Sequence, residues 1–184
     1  MFIRSERLFL RPAWPEDAAD LVALIDEPIA RNLATVPWPY TIEDARAFVD
    51  LPRLSLFPRF LVTLPAAGGA AIAGVCGLSP RDGEANLGYW IARQHWGNGY
   101  ATEAARTVLA LARALGHRRV VASHQIDNSA SARVLDKIGF RGTGRIVEHF
   151  SQGRGHMVRV RECEVRFEAP ADCDGDNMMR RQAA

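Results

Sequence analysis

The chain carries a single lysine, Lys137, among its 23 basic side chains, and its formal net charge is only +2. A field that weak excludes the dense basic surface that gathers nucleic acid or an anionic membrane. Arg113, Arg118 and Arg119 make a small local cluster that reads as a solvated face. Cysteine is scarce too: Cys76, Cys163 and Cys173 are odd in number and far apart, which argues against a disulfide framework or a zinc site and fits a reducing compartment. No metal is expected. Long apolar runs are missing, residues 70–78 being too short to span a bilayer, and the opening stretch with Arg4, Glu6 and Arg7 has no signal-peptide core. The expected location is the cytoplasm. There is no internal repeat, and 184 residues suit one domain, expected over 1–168 with a polar, disordered tail at 169–184.

Apolar periodicity orders what is present. Residues 2–11 alternate as a strand that Pro12 ends. Pro15, Glu16 and Asp17 suit the first turn of a helix, where proline needs no donor and acids face the dipole. Leu21, Leu24 and Ile25 give that helix an apolar face, and Pro28 stops it. Residues 29–33 form a short helical turn, and 37–40 an aromatic loop. Thr41 and Asp44 approximate a capping box for a second helix with Ala45, Phe48 and Val49 turned inward. Residues 59–64 and 70–78 read as an antiparallel pair around the turn 65–69, and a turn at 80–83 leads into a strand over 85–92.

Next comes Gln94-His95-Trp96-Gly97-Asn98-Gly99-Tyr100-Ala101, the most informative stretch of the chain. Two glycines and an alanine make a tight turn whose backbone can be approached closely. The helix that follows, with Ala104, Ala105, Val108, Leu111 and Ala112 at threes and fours, presents unpaired amides and the positive end of its dipole. Such a place binds phosphate. No Gly-Lys-Ser/Thr follows, so it is not a P-loop, and Glu103 and Ala104 stand where a dinucleotide fingerprint needs its third glycine. Gly116 caps the helix, and residues 119–123 return as a buried strand. Strand, helix and strand in that order make a crossover, so the two flanking strands are parallel. Asn128 opens a further helix with Val134, Leu135 and Ile138 inward and Gly139 at its end. Strands from 140 onward and over 157–167 flank the turn 151–155.

Gln-x-x-Gly-x-Gly-x-Ala, preceded by Leu87-Gly88-Tyr89-Trp90 and followed by Asn128-x-x-Ser131 and Lys137-Ile138-Gly139-Phe140, resembles the GNAT acyltransferase superfamily, in particular the branch of ribosomal-protein-alanine N-acetyltransferases. The expected fold is α+β, GNAT-like, a mixed and mostly antiparallel sheet with helices on both faces. The resemblance implies that the parallel pair splays apart, and that the pantetheine arm of acetyl-CoA lies in the opening beside backbone groups of Trp90, Ile91 and Ala92. It implies a pyrophosphate on the amides of Gly97, Gly99, Tyr100 and Ala101, with Gln94 opening the loop and Asn98 inside it. Asn128 would hold the arm, or serve only as a helix cap. Ser131 would be a cap-stabilising hydroxyl or the group nearest the departing thiolate, and Leu135, standing where many relatives carry a tyrosine acid, puts Ser131 forward as donor or leaves that step to water. Trp38 and Tyr40 would reach the acceptor cleft.

The resemblance also places a glutamate just before Leu87 in many relatives, where this chain has Asn86, an amide that cannot act as a base. Glu84 faces the same way two residues back and is the expected base, through water, with Glu148 and His124 as rivals. The expected activity is N-acetyl transfer from acetyl-CoA, as co-substrate, to an amine of a protein N-terminus or a small molecule, in a monomer or homodimer. The competing expectation is a non-catalytic acyl-CoA sensor or interaction module.

Overall fold

A computed structural model describes residues 1–66 and 69–168 of the chain. The first half holds strands β1 (Ile3–Arg4), β2 (Phe9–Arg11), β3 (Arg59–Ala66), β4 (Gly69–Arg81) and β5 (Glu84–Ile91), with helices α1 (Ala18–Leu24), α2 (Glu27–Ala30) and α3 (Ile42–Val49) between β2 and β3. The second holds α4 (Tyr100–Ala114), β6 (Arg119–Gln125), α5 (Ser129–Lys137), β7 (Arg141–Ser151) and β8 (His156–Arg166). All eight strands form one sheet in the order β1-β2-β3-β4-β5-β6-β8-β7. Every pairing is antiparallel except β5 with β6. The expected tail at 169–184, Cys173 and the turn tip at 67–68 lie outside the described residues.

The sheet is covered on both faces, and strand alternation decides which side chain meets which helix. Phe60, Val62, Cys76, Leu78, Leu87 and Ile91 pack with Ala104, Ala105, Val108 and Ala112 of α4. On the opposite face Leu61 and Val75 pack with Leu21 of α1 and Ala45 of α3. Thr41 and Asp44 form the capping box of α3: the Asp44 amide donates to Thr41 Oγ1 at 3.3 Å, and the Thr41 amide donates to Asp44 Oδ2 at 2.9 Å.

Two expectations near the start need correction. Residues 2–11 are two antiparallel strands, because a turn stabilised by the Ser5 amide donating to the Leu8 carbonyl at 2.9 Å breaks the run. Pro28 does not stop a helix. Helix α1 already ends at Leu24, and Asp26 caps α2 by accepting from the Ile29 amide at 3.1 Å, so Pro28 sits in the first turn of α2, where a missing donor costs nothing.

At the junction of β2 and α1 a buried ion pair fixes the layers. The Arg11 guanidinium donates to both Asp17 carboxylate oxygens at 2.8 and 2.6 Å and lies 4.3 Å over the Trp14 ring, while the Trp14 amide adds a third bond to Asp17 at 2.7 Å.

Candidate functional site

The gap between β5 and β6 is where the site forms. The parallel strands pair only at Ala85–Val120 and Asn86–Val121, after which they diverge. A cavity of about 770 Å³ runs through the opening and reaches both faces of the sheet. At the far end of the gap α2 spans the two strand tips. Asp26, before it, pairs with Arg93 beyond β5 at 3.2 Å, and the carbonyl of Arg31, after it, accepts from Gln125 Nε2 of β6 at 2.9 Å. The β7–β8 turn docks on the same segment, with Arg154 Nε donating to the Arg31 carbonyl at 2.8 Å and the Gln152 amide to that of Ala34 at 3.0 Å. Gly153 has no room for a side chain there, because a Cβ would run into the Ala30 carbonyl.

Backbone direction in the gap follows from one hydrogen bond. Register along β3 and β4 moves from Val62–Gly74 to Thr63–Ile72, leaving Ala73 as an extra residue whose carbonyl accepts the Ala92 amide at 2.8 Å. The Ala92 amide therefore points at β4. By alternation so do the groups of Trp90, while those of Leu87, Tyr89 and Ile91 point into the gap. Of the three backbone positions expected to face a ligand, Trp90 and Ala92 are thus corrected and Ile91 stands in the opening. Its carbonyl accepts Trp96 Nε1 at 2.6 Å, which leaves its amide toward the gap.

Beside this opening the chain makes a turn at Arg93–His95 and enters α4 through Gly97 and Gly99, both in the left-handed region at φ 80° and 79°. Asn98 pins the loop by donating from Nδ2 to the carbonyls of His95 and Trp96 at 3.1 and 3.2 Å. The first bond of α4 runs from the Glu103 amide to the Gly99 carbonyl at 3.1 Å, so the amides of Tyr100, Ala101 and Thr102 have no partner within the helix. Gly97, Gly99, Tyr100 and Ala101 line the cavity, whereas Gln94 and Asn98 are exposed and do not.

Arg7, which local sequence patterns do not single out, holds this loop. Its guanidinium lies 4.8 Å over the Tyr100 ring, donates to the Asn98 carbonyl at 3.0 Å and pairs with Glu103 at 2.8 Å. Burial pushes the Glu103 carboxyl up, but hydrogen bonds from Ser5 and from the Arg7 amide and side chain outweigh it and hold the group below the usual carboxylate range.

Across the gap, Asn128 Oδ1 caps α5 by accepting the Ser131 amide at 3.0 Å, which leaves Nδ2 without a protein acceptor among the described residues. Ser131 Oγ lies 2.9 Å from the hydroxyl of Tyr89, a partner that the spacing Asn128-x-x-Ser131 could not reveal. Burial pushes the Tyr89 phenol well above its ordinary value despite the Ser131 bond, so it stays protonated and can act as donor to Ser131. His124, also on the cavity wall, has Nδ1 2.9 Å from the Gln125 carbonyl. A carbonyl only accepts, so Nδ1 carries a proton and Nε2 is the ring nitrogen with no protein partner among the described residues.

The remaining expected positions separate. Tyr40 lines the cavity beside Trp90, its phenol pushed up to about 12 by burial and then by Asp44. Trp38, 43% exposed, does not line the cavity. Glu84 is displaced from the site: its carboxylate pairs with Arg119 at 3.2 Å at the closed end of the gap and does not reach the cavity. Glu148 is exposed on β7, also away from it.

A family model described as an acetyltransferase (GNAT) domain matches residues 7–141. The uncharacterized N-acetyltransferase p20 of Bacillus licheniformis is 27% identical over 165 residues, covering 85% of this chain and 90% of the relative. Among solved structures, the microcin C7 self-immunity acetyltransferase MccE, in complex with acetyl-CoA and AMP, superimposes with a TM-score of 0.73 at 19% identity, covering 89% of this chain and 94% of the other. The ribosomal L7/L12 alpha-N-protein acetyltransferase RimL, in complex with coenzyme A, gives 0.68 at 22% identity, covering 88% and 97%. At these identities the two structures speak for the fold.

Proposed function

Because this chain belongs to the GNAT acetyltransferase family, we propose that it transfers the acetyl group of acetyl-CoA to a primary amine by direct attack in a ternary complex. The observation that carries this reading is the cavity through the gap, which joins the unpaired amides of α4 to a second mouth lined by Tyr40 and Trp90. Acetyl-CoA supplies an acyl group already activated as a thioester.

The residues divide the remaining work. The amides of Tyr100 and Ala101 hold the pyrophosphate, in the field of the helix dipole. Asn128 keeps Oδ1 for its helix and offers Nδ2 to the arm, and the Ile91 amide faces the carbonyl oxygen as negative charge develops there. As the amine nitrogen bonds the carbonyl carbon, His124 Nε2 accepts the proton it sheds. The carbon–sulfur bond breaks, and the leaving thiolate accepts a hydrogen bond from the Ser131 hydroxyl, which Tyr89 orients, before it takes a proton from solvent water. A thiol's pKa near ~8.5 means that the thiolate leaves without a strong acid, so hydrogen bonding from a hydroxyl pair suffices for this step.

Release of CoA measured against a panel of primary amines, alongside calorimetric binding of acetyl-CoA, tests the proposal. Amine-dependent release supports it, while saturable binding with no release from any amine would make the chain an acyl-CoA sensor. Within that assay, Tyr89→Phe should lower turnover severalfold with acetyl-CoA affinity unchanged, and Ser131→Ala should lower it further. Parent-like rates for both would remove the hydroxyl pair from the mechanism. Gly99→Val should weaken acetyl-CoA binding at least tenfold, because left-handed backbone costs a side-chain-bearing residue ~1–2 kcal/mol and the loop must turn its amides away to escape it. A Cβ at this position would come no closer than 3.6 Å to another group, the Arg7 guanidinium, so the fold should survive. Unchanged affinity in calorimetry would exclude the loop as the phosphate site.

A further inference from the structure

Five arginines among the described residues are buried or half-buried: Arg11, Arg59, Arg81, Arg119 and Arg154. Four of them have a carboxylate, namely Asp17, Glu162, Glu164 with Glu84, and Asp127 respectively. Arg59 has none. Its one hydrogen bond to the described residues is from Nη2 to the Pro52 carbonyl at 3.0 Å, which leaves Nε and Nη1 without a protein acceptor. Burial alone lowers its pKa, the mark of a cation removed from water without compensation.

Arg59 lines the same cavity that passes through the gap. It stands opposite Gly77 of β4, and Gly77 stands opposite Gly88 of β5. Directly opposed residues share a face of the sheet, here the face that carries Leu61, Val75 and Trp90. From the rim of the gap the floor is bare at Gly88, and at Gly77, the next strand in, it is covered by the backbone and stem of Arg59 itself, all within two strand spacings or ~10 Å. A Cβ on Gly77 would fall 2.6 Å from the Arg59 Cα and 3.0 Å from its Cγ, so the glycine makes room for the arginine stem, whereas a Cβ on Gly88 would meet nothing within 4 Å and would stand in the cavity itself. A lane of this length, clear at the reacting end and ending on an uncompensated guanidinium, suits a short molecule with an amine at one end and an anion at the other.

We propose that the acceptor is a primary amine that also carries a carboxylate, and that Arg59 binds that carboxylate and so sets the enzyme's substrate preference. Resting on the transferase reading above, this names the acceptor class for the same cavity. Arginine offers a planar fork that matches a carboxylate. The carboxylate could belong to a free amino acid or to an acidic residue close to a peptide's N-terminus.

The experiment compares acids with their uncharged twins. The ω-amino acids from 3-aminopropanoate to 6-aminohexanoate are assayed against their primary carboxamides, together with tetrapeptides carrying aspartate or asparagine at the second position. In the parent protein at least one acid should exceed its amide in kcat/KM. Arg59→Met, which keeps a stem of similar length, should lower that ratio about tenfold to a hundredfold, in line with loss of a hydrogen bond to a charged group. Arg59→Lys should keep part of it, and Gly88→Val should lower kcat/KM for the preferred acid by blocking the lane. Preference among the ω-amino acids identifies a small-molecule acceptor, and preference only among the tetrapeptides identifies a peptide end. Acids and amides used alike, or a ratio unmoved in Arg59→Met while both rates fall together, would overturn the assignment and leave the transferase standing. Failure of every amine, acidic or not, would remove both.

Discussion

Replacing His124 by alanine should cut turnover about a hundredfold at neutral pH, the lower end of what a positioned general base contributes. At pH 7 an alkyl amine with a pKa near ~10.4 is almost wholly protonated, so a proton must be taken from it before or during attack. His124 is suited to accept it because its Nδ1 is committed to the Gln125 carbonyl, which leaves Nε2 as the free ring nitrogen of a residue on the cavity wall. The deficit in His124→Ala should shrink as the pH approaches the pKa of the amine, where solution already supplies the neutral nucleophile. Glu84→Gln should follow the parent's pH–rate profile, since Arg119 already engages that carboxylate outside the cavity. If the profiles of the two variants were exchanged, the base would be Glu84 acting through water, and His124 would be left as a wall residue.

Asp17→Ala should destabilise the fold by about 3–5 kcal/mol, because it strands Arg11 as an unpaired charge in a buried position. The two side chains retain only 11% and 9% of their accessible surface, so solvent cannot take over. For a chain of this length the loss corresponds to a fall in Tm of roughly 6–20 °C. Its pH dependence has a definite sign. Burial raises the Asp17 carboxyl, but the Arg11 bond, the Trp14 amide and the Arg11 charge lower it by more, so the net folded value lies below the ordinary one. Such a group contributes stability that is fully present above the unfolded carboxylate value of ~3.9 and is lost as the pH falls through the lower folded value. Thermal melts of parent and Asp17→Ala should therefore differ by a constant amount from pH 5 upward, within the ~5 to 8 range where such proteins are most stable, and converge in stronger acid. A gap that widened on acidification would contradict a lowered folded pKa.

What the sequence could disclose was local. Gly97 and Gly99, the apolar spacing of α4 and the order of strand, helix and strand point to a phosphate-binding turn beside a parallel pair, and the structure has a parallel pair at that place. Thr41 and Asp44 are three residues apart, so their capping box was legible too. Contacts between distant segments were not. Tyr89 meets Ser131 across 42 positions, and Arg7 meets Glu103 across 96. Neither pair leaves a periodic trace. Glu84 shows the limit most clearly. Alternation assigned it correctly to the face of Asn86 and Gly88, yet its use depends on Arg119, which only the crossover brings alongside. Trp90 and Ala92 could have been separated from Ile91 by the same alternation, but only once the bond from Ala92 to Ala73 set the starting direction.

The bridge made by α2 over the diverging strands turns a notch into a hoop. Strand β5, the paired residues at Ala85 and Val120, strand β6 and the segment from Asp26 to Arg31 form an unbroken rim joined by hydrogen bonds and an ion pair. A molecule made by joining coenzyme A to an acceptor would occupy both mouths at once and could not slip out sideways. It would have to withdraw lengthwise through the hoop, drawing its bulky nucleotide or its charged acceptor end through the strand gap, or else wait for the Asp26–Arg93 and Gln125–Arg31 fastenings to open. Residence time for such a conjugate is then set by the faster of lengthwise passage and the parting of those two fastenings, and loosening either one opens the second route without touching any group that grips the ligand.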